Sequence, residues 1–171
     1  MIATGAMAAD VPPLVVAAPP PPPMAAPAFD WDGLYVGVGA GTDVPFLPAE
    51  YFGAQVGGTV GYNFVAGQFV AGVEGGLLVG VGNWAGAPLF YYSNVRAGVL
   101  LGEKLLAYGF IGIHGDLDGY RGWHFGGGLE LALGNSWSVF ADLSRGRELG
   151  CMDCGFNDWF SNIGIRWHLG N

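Results

Sequence analysis

Asn162-Ile163-Gly164-Ile165-Arg166-Trp167-His168-Leu169 is the stretch whose reading decides the fold, because polar or small residues alternate in it with large apolar ones. Successive side chains of an extended strand point to opposite faces. Asn162, Gly164, Arg166 and His168 therefore share one face, and Ile163, Ile165, Trp167 and Leu169 share the other. One face meets hydrocarbon or a core, and the other meets something polar.

The same period of two recurs upstream. Leu34, Val36, Val38 and Ala40 alternate with Tyr35, Gly37, Gly39 and Gly41. Phe69, Ala71, Val73, Leu77 and Val79 alternate with Gly72, Glu74, Gly76 and Gly80, and Val95, Ala97, Val99 and Leu101 with Asn94, Arg96 and Gly98. Further on, Phe125, Leu129 and Leu131 oppose His124, Gly128 and Glu130, while Val139, Ala141 and Leu143 oppose Ser138, Phe140 and Asp142. In every case the charge falls on the small-residue face. Eight such strands are predicted, over 31–42, 51–64, 68–82, 88–101, 105–115, 121–134, 136–146 and 159–169. The fifth is apolar on both faces; Ile111 and Ile113 are placed outward, since the opposite choice would expose His114 to lipid.

Composition agrees with a membrane protein: 51% of residues are hydrophobic, 12% are charged, 32 are glycine, and the mean hydropathy is +0.39. Helical spans are the alternative, because 51–73 and 75–95 carry no charge. Both stretches are interrupted by glycines, and the second also holds Asn83, Pro88 and Asn94. Every such residue costs a helix propensity, whereas a barrel wall uses small residues on its crowded inner face. The expected fold is thus all-β, an eight-stranded antiparallel up-and-down transmembrane β-barrel with a Pro-rich N-terminal tether. A net charge of −8 with only six Lys and Arg residues excludes a nucleic-acid-binding surface.

Three regions follow. Ala6-Met7-Ala8 has the small-x-small pattern of a signal-peptidase site, so 1–8 is read as a signal-peptide remnant and Ala9 as the mature start. Residues 9–28 are rich in Pro, Ala and Val, with Pro19 to Pro23 unbroken, and form a stiff polyproline-type tether. Residues 29–171 are the barrel. Its connections alternate in length: tight turns at 65–67, 102–104 and 134–135 belong with the termini on the periplasmic side, and longer segments at 43–50, 83–87, 116–120 and 147–158 on the outside. Aromatics at the strand ends, Trp31, Phe64, Phe69, Trp137 and Trp167 on one side and Tyr51, Phe52, Trp84, Phe90, Tyr91, Trp123 and Trp159 on the other, are expected to form two interfacial girdles.

Phe29-Asp30-Trp31-Asp32-Gly33-Leu34-Tyr35-Val36-Gly37, together with Gly72-Val73-Glu74-Gly75, Asn94-Val95-Arg96-Ala97-Gly98 and Gly126-Gly127-Gly128-Leu129-Glu130, resembles the small outer-membrane barrels of alphaproteobacteria, the porin-family or opacity-type proteins akin to OmpA-like eight-stranded barrels. The last strand resembles the C-terminal signal by which such barrels are recognised for insertion, with Asn162, Gly164, Trp167 and Leu169 as the residues concerned. What the resemblance implies is residence in a Gram-negative outer membrane with a periplasmic N-terminus. Its implied partners are outer-membrane lipid and lipopolysaccharide, the barrel-assembly machinery and other outer-membrane proteins. Ala9-Asp10 resembles the start of relatives joined through that amine to peptidoglycan, making Ala9 a candidate linkage point.

Candidate chemistry concentrates on the inner face. Glu74, Glu130 and Asp142 there face Arg96 and Arg166, with Gln55, Asn94, Asn162 and His168 nearby, and an interior ion-pair network filling the narrow lumen is expected. Cys151 and Cys154 occupy the longest loop. Gly155 stands where haem attachment would need His, and two zinc ligands are missing, so a disulfide is the expected state, with a reactive thiol pair as the alternative. His114, Asp116, Asp118 and His124 converge on the outer rim. A lipid hydrolase would need a nearby serine, and none lies between Ser93 and Ser136, although Ser144 could approach through the barrel. No enzyme activity, catalytic residue, cofactor or metal is therefore expected. The leading expectation is a structural envelope protein, followed by a barrel that binds haem or another small ligand through these histidines, then by a lipid-modifying enzyme.

Overall fold

The computed structural model describes Met1 and residues 29–43, 53–82, 89–119, 121–149 and 158–170. Eight strands follow in chain order: β1 (Gly33–Asp43), β2 (Gly53–Ala66), β3 (Phe69–Gly82), β4 (Leu89–Leu101), β5 (Leu105–Asp116), β6 (Arg121–Ala132), β7 (Trp137–Glu148) and β8 (Asp158–His168). Each pairs antiparallel with the next, and β8 pairs with β1, for example Val38 opposite Ile165. The result is a closed up-and-down barrel whose strand limits lie within two residues of those expected from the alternation. Closure leaves no edge row of unpaired N–H and C=O groups, which is the condition for standing in hydrocarbon. Strands as long as the 14 residues of β2 exceed the roughly 9–11 that a tilted strand needs to cross a bilayer core.

Residues that would form the core of a soluble domain point out of this one. Val38, Val60, Leu77, Val95, Leu129 and Ile163 are all about half exposed on the outer wall. In β5, Ile111 and Ile113 face outward at 56% and 55% exposure, while Leu106 is fully buried in the lumen. Volume settles that strand: the lumen needs Leu106 and Tyr108 as filling.

The tight connections lie at one end of the barrel, beside residues 29–32 and 169–170. This turn end is sealed. Gly33, at φ +98°, takes a backbone conformation open to glycine, and it turns the preceding residues across the barrel mouth. Trp31 consequently lies inside, 4% exposed, packed with Val70, Leu106, Tyr108 and Ala132. Its indole Nε1 donates to the Glu103 carbonyl at 3.2 Å, and the Trp31 carbonyl accepts from Asn63 Nδ2 at 3.2 Å.

Trp31 is therefore not a girdle residue, because strand parity says nothing about a segment that folds over the end. Phe90 also lines the interior rather than the lipid face. Trp137 and Trp167 do stand outside as a cross-strand pair, stacked with centroids 5.8 Å apart.

Candidate functional site

Four charges meet at mid-barrel. Arg96 comes from β4 and Arg166 from β8, which are diametrically opposite walls of an eight-stranded barrel. Glu74 from β3 and Glu130 from β6 lie between them. Glu130 Oε2 accepts from Arg96 Nη2 at 2.8 Å and from Arg166 Nη1 at 2.7 Å. Glu74 Oε2 accepts from Arg166 Nη2 at 2.5 Å and sits 3.7 Å from Arg96 Nη1. Two carboxylates and two guanidiniums balance, with side chains no more than 7% exposed. Isolated charges in that position would carry a large desolvation cost, so shared, charge-assisted bonds are what make the arrangement tenable.

Neutral groups complete the cluster. Tyr35 Oη donates to Glu74 Oε2 at 2.9 Å and accepts from Arg96 Nη1 at 3.2 Å. Ser138 Oγ donates to Glu130 Oε1 at 2.6 Å, and His168 Nε2 lies 3.0 Å from the same oxygen. Aromatic rings pave the guanidiniums: Arg166 sits 3.8 Å over Phe140, and Arg96 sits 4.4 Å over Tyr108. The inner-face glycines make room for these rings. A Cβ on Gly61 would overlap the Tyr35 ring, and one on Gly164 would meet the Phe140 ring. Parity alone placed Tyr35, Ser138 and Phe140 inside; their bonding to the charges needed the inter-strand register.

The nine residues expected to form one network divide into tiers. Glu74, Arg96, Glu130, Arg166 and His168 form the mid-barrel cluster. Asp142 lies apart from both arginines' hydrogen bonds and is held instead by Asn162 Nδ2 at 2.9 Å and Tyr108 Oη at 3.3 Å. Asn162 reaches it because the β7–β8 register sets the two residues opposite one another. Gln55 and Asn94 are buried higher in the lumen, along a cavity wall.

That cavity occupies the loop-side half of the barrel, about 530 Å³, above the cluster. Glu74 and Asp142 contribute to its floor, and Tyr92, Phe110, Phe140 and Phe160 to its walls. His114 and His124 stand in it with Nδ1 atoms 2.9 Å apart. The His114 ring meets Phe160 edge-on at 5.5 Å, and the His124 ring meets Phe110 at 5.8 Å. Ser144 is buried along the same wall, and Asp116 and Asp118 lie toward its mouth.

Among the remaining candidates, Trp167 and Leu169 face outward at 45% and 40% exposure, and Gly164 and Asn162 face inward. Cys151, Cys154 and Ala9 lie outside the described residues.

No protein-family model matches the sequence, and no curated protein matches it. Solved structures do match in shape. A de novo designed transmembrane β-barrel aligns over 82% of this chain and 98% of its own, with a TM-score of 0.57 at 14% identity. The N-terminal β-barrel domain of Pseudomonas aeruginosa OprF aligns over 78% of this chain and 96% of its own, with a TM-score of 0.50 at 15% identity. Ail, the attachment invasion locus protein of Yersinia pestis, aligns over 80% of this chain and 98% of its own, with a TM-score of 0.47 at 13% identity. At these identities the likeness is one of fold: the chain is an eight-stranded antiparallel closed barrel of the transmembrane type.

Proposed function

We propose that this protein is a structural barrel of the Gram-negative outer membrane, with its turn end in the periplasm and its loop end at the cell surface, and that it works as a non-catalytic support of the envelope. The observation that carries the reading is the Arg96–Glu74–Arg166–Glu130 cluster, which ties opposite walls together across the lumen with its charges buried. A transport protein needs a polar path there; a support needs a rigid, filled wall. The Trp31 seal below the cluster supports the same conclusion.

The sequence of residues 9–28 extends this role. A Pro-rich stretch of about twenty residues has the length, at roughly 3.1 Å per residue if extended, to reach from the barrel toward the cell wall. In this reading Ala9 is the residue joined to peptidoglycan, the chain is one of the alphaproteobacterial porin-family barrels, and the assembly machinery reads its last strand.

Deleting the gene tests the role. Cells lacking the protein are expected to leak periplasmic enzymes and to become sensitive to detergent, with the full chain restoring resistance and a version without residues 9–28 restoring less. An unaltered envelope in the deletion strain, or recovery of the protein outside the outer-membrane fraction, contradicts the proposal.

The loop-side cavity favours a second reading, a barrel that takes up a small aromatic ligand between Phe110, Phe160 and the paired histidines. Haem is the specific form to test. A Soret shift on adding haem that is lost with His114→Ala and His124→Ala supports it, and an unshifted spectrum dismisses that form.

A further inference from the structure

Half of the chain's six basic residues stand on one strip of the outer wall. Arg96 and Arg166 are inside the barrel and Lys104 is in a tight turn, which leaves Arg121 on β6 and Arg145 and Arg147 on β7. Arg145 and Arg147 continue the outward row of Ala141 and Leu143, and Arg121 continues that of Trp123 and Phe125. The register interleaves them: Arg147 is opposite Trp123, and Arg145 is opposite Phe125 on one side and Trp159 on the other. Arg121 closes the group, its carbonyl accepting from the Leu149 N–H at 2.8 Å.

Arg121 is the diagonal neighbour of Arg147 across the β6–β7 pair, at about 7–8 Å, and Arg145 follows two residues along the same outward row of β7, so the three arginines occupy neighbouring positions on one outward face. The Arg145 guanidinium already lies over the Trp159 ring at 5.4 Å. Among the described side chains, the outward rows of β5 to β8 hold no Asp or Glu. At the same height on the far side, the outward residues of β2 and β3 are Ala54, Val56, Val79 and Val81, without charge.

The strip sits above the aliphatic band: Leu143 is the next outward residue down β7, and on β8 Ser161 separates Trp159 from the outward Ile163, both aliphatic residues being about half exposed. A ligand fitting this face has acyl chains below and phosphate above. Arginine suits the upper part, because its planar fork binds phosphate oxygens bidentately. Tryptophan suits the boundary, with an apolar body and a polar edge. We propose that Arg121, Arg145 and Arg147, with Trp123 and Trp159 between them, dock the phosphorylated headgroup of lipopolysaccharide on the outside of the barrel. The proposal rests on the reading above in taking the loop end to face the surface leaflet.

The test uses the full chain refolded in neutral detergent and titrated with bisphosphorylated lipid A, dephosphorylated lipid A and inorganic phosphate. The wild type is expected to prefer the bisphosphorylated form. Losing these contacts in R121Q/R145Q/R147Q should weaken it about tenfold or more, while Lys104→Gln at the opposite rim leaves it unchanged. Arg121→Gln alone, at the most exposed of the three, is expected to weaken it measurably and covers the case in which the triple variant does not fold. Equal binding of both lipid forms, undiminished binding in folded variants, or displacement by inorganic phosphate at matched concentration overturns the proposal. Micelles have no sidedness, so failure here counts against the strip alone, whereas recovery outside the outer membrane counts against the localisation.

Discussion

Replacing Arg166 by methionine removes the hub of the interior. Arg166 is 1% exposed and bonds both carboxylates, Glu74 at 2.5 Å and Glu130 at 2.7 Å, while stacking on Phe140 at 3.8 Å. Methionine retains much of the apolar stem but no donors. Arg96 then faces two carboxylates, and its geometry decides which one suffers. It stays 2.8 Å from Glu130 but 3.7 Å from Glu74, so Glu74 is left to Tyr35 and Tyr92.

Removing one partner of a buried pair costs about 3–5 kcal/mol, mostly as the penalty of the uncompensated charge. Two carboxylates depend on Arg166, which points to the upper half of that range. Arg96→Leu should cost about 3 kcal/mol, the lower end, because Glu130 keeps Arg166 and His168. Urea unfolding of the refolded barrel in lipid vesicles, followed by tryptophan fluorescence, measures both. At a slope of about 2 kcal/mol per molar urea, Arg166→Met should lower the midpoint by about 2 M. Adding Glu74→Gln to Arg166→Met should recover part of the loss, since a neutral amide no longer needs the guanidinium. A loss below about 1 kcal/mol at unchanged slope, the size of an exposed pair, would refute the claim that these charges are interdependent.

Gly61→Ala should destabilise the barrel by about 1–3 kcal/mol through overpacking against Tyr35, and Gly61→Ala with Tyr35→Phe should not restore it, because the ring and not only the hydroxyl is in the way; the same unfolding assay reads both. Exchanging Trp167 and Leu169 for Asp places charge on the lipid-facing surface near the interface, at a cost of about 1 kcal/mol or less each, and removes the residues read as the insertion signal, so membrane yield with protease resistance should fall sharply; normal yield of folded protein would move the insertion signal elsewhere.

The barrel was legible because its signal is periodic and redundant. Lipid on one side and a crowded lumen on the other repeat the same alternation eight times, so each strand reports its own facing. Within the site, parity was sufficient to bring Glu74, Arg96, Glu130 and Arg166 to one surface. It could not assign depth, which comes from strand tilt and register. That is why Asp142 was grouped with the arginines although its partners are Asn162 and Tyr108. Nor could it place Trp31, whose position follows from the turn at Gly33 and not from an alternating pattern. Strand five was ambiguous for a related reason: where the lumen is plugged by Leu106 and Tyr108, both faces are apolar and the contrast disappears.

Single-channel recording in planar bilayers tests the central claim most directly. With the mid-barrel cluster spanning the lumen and Trp31 sealing the turn end, the wild-type barrel is expected to pass no large, stable current. Arg96→Ala with Glu130→Ala, together with Trp31→Ala, should open a measurable conductance if the variant folds, as judged by its faster migration unboiled. A large, stable wild-type conductance that these changes leave unaltered would show that ions do not meet the cluster, and would contradict a filled structural barrel.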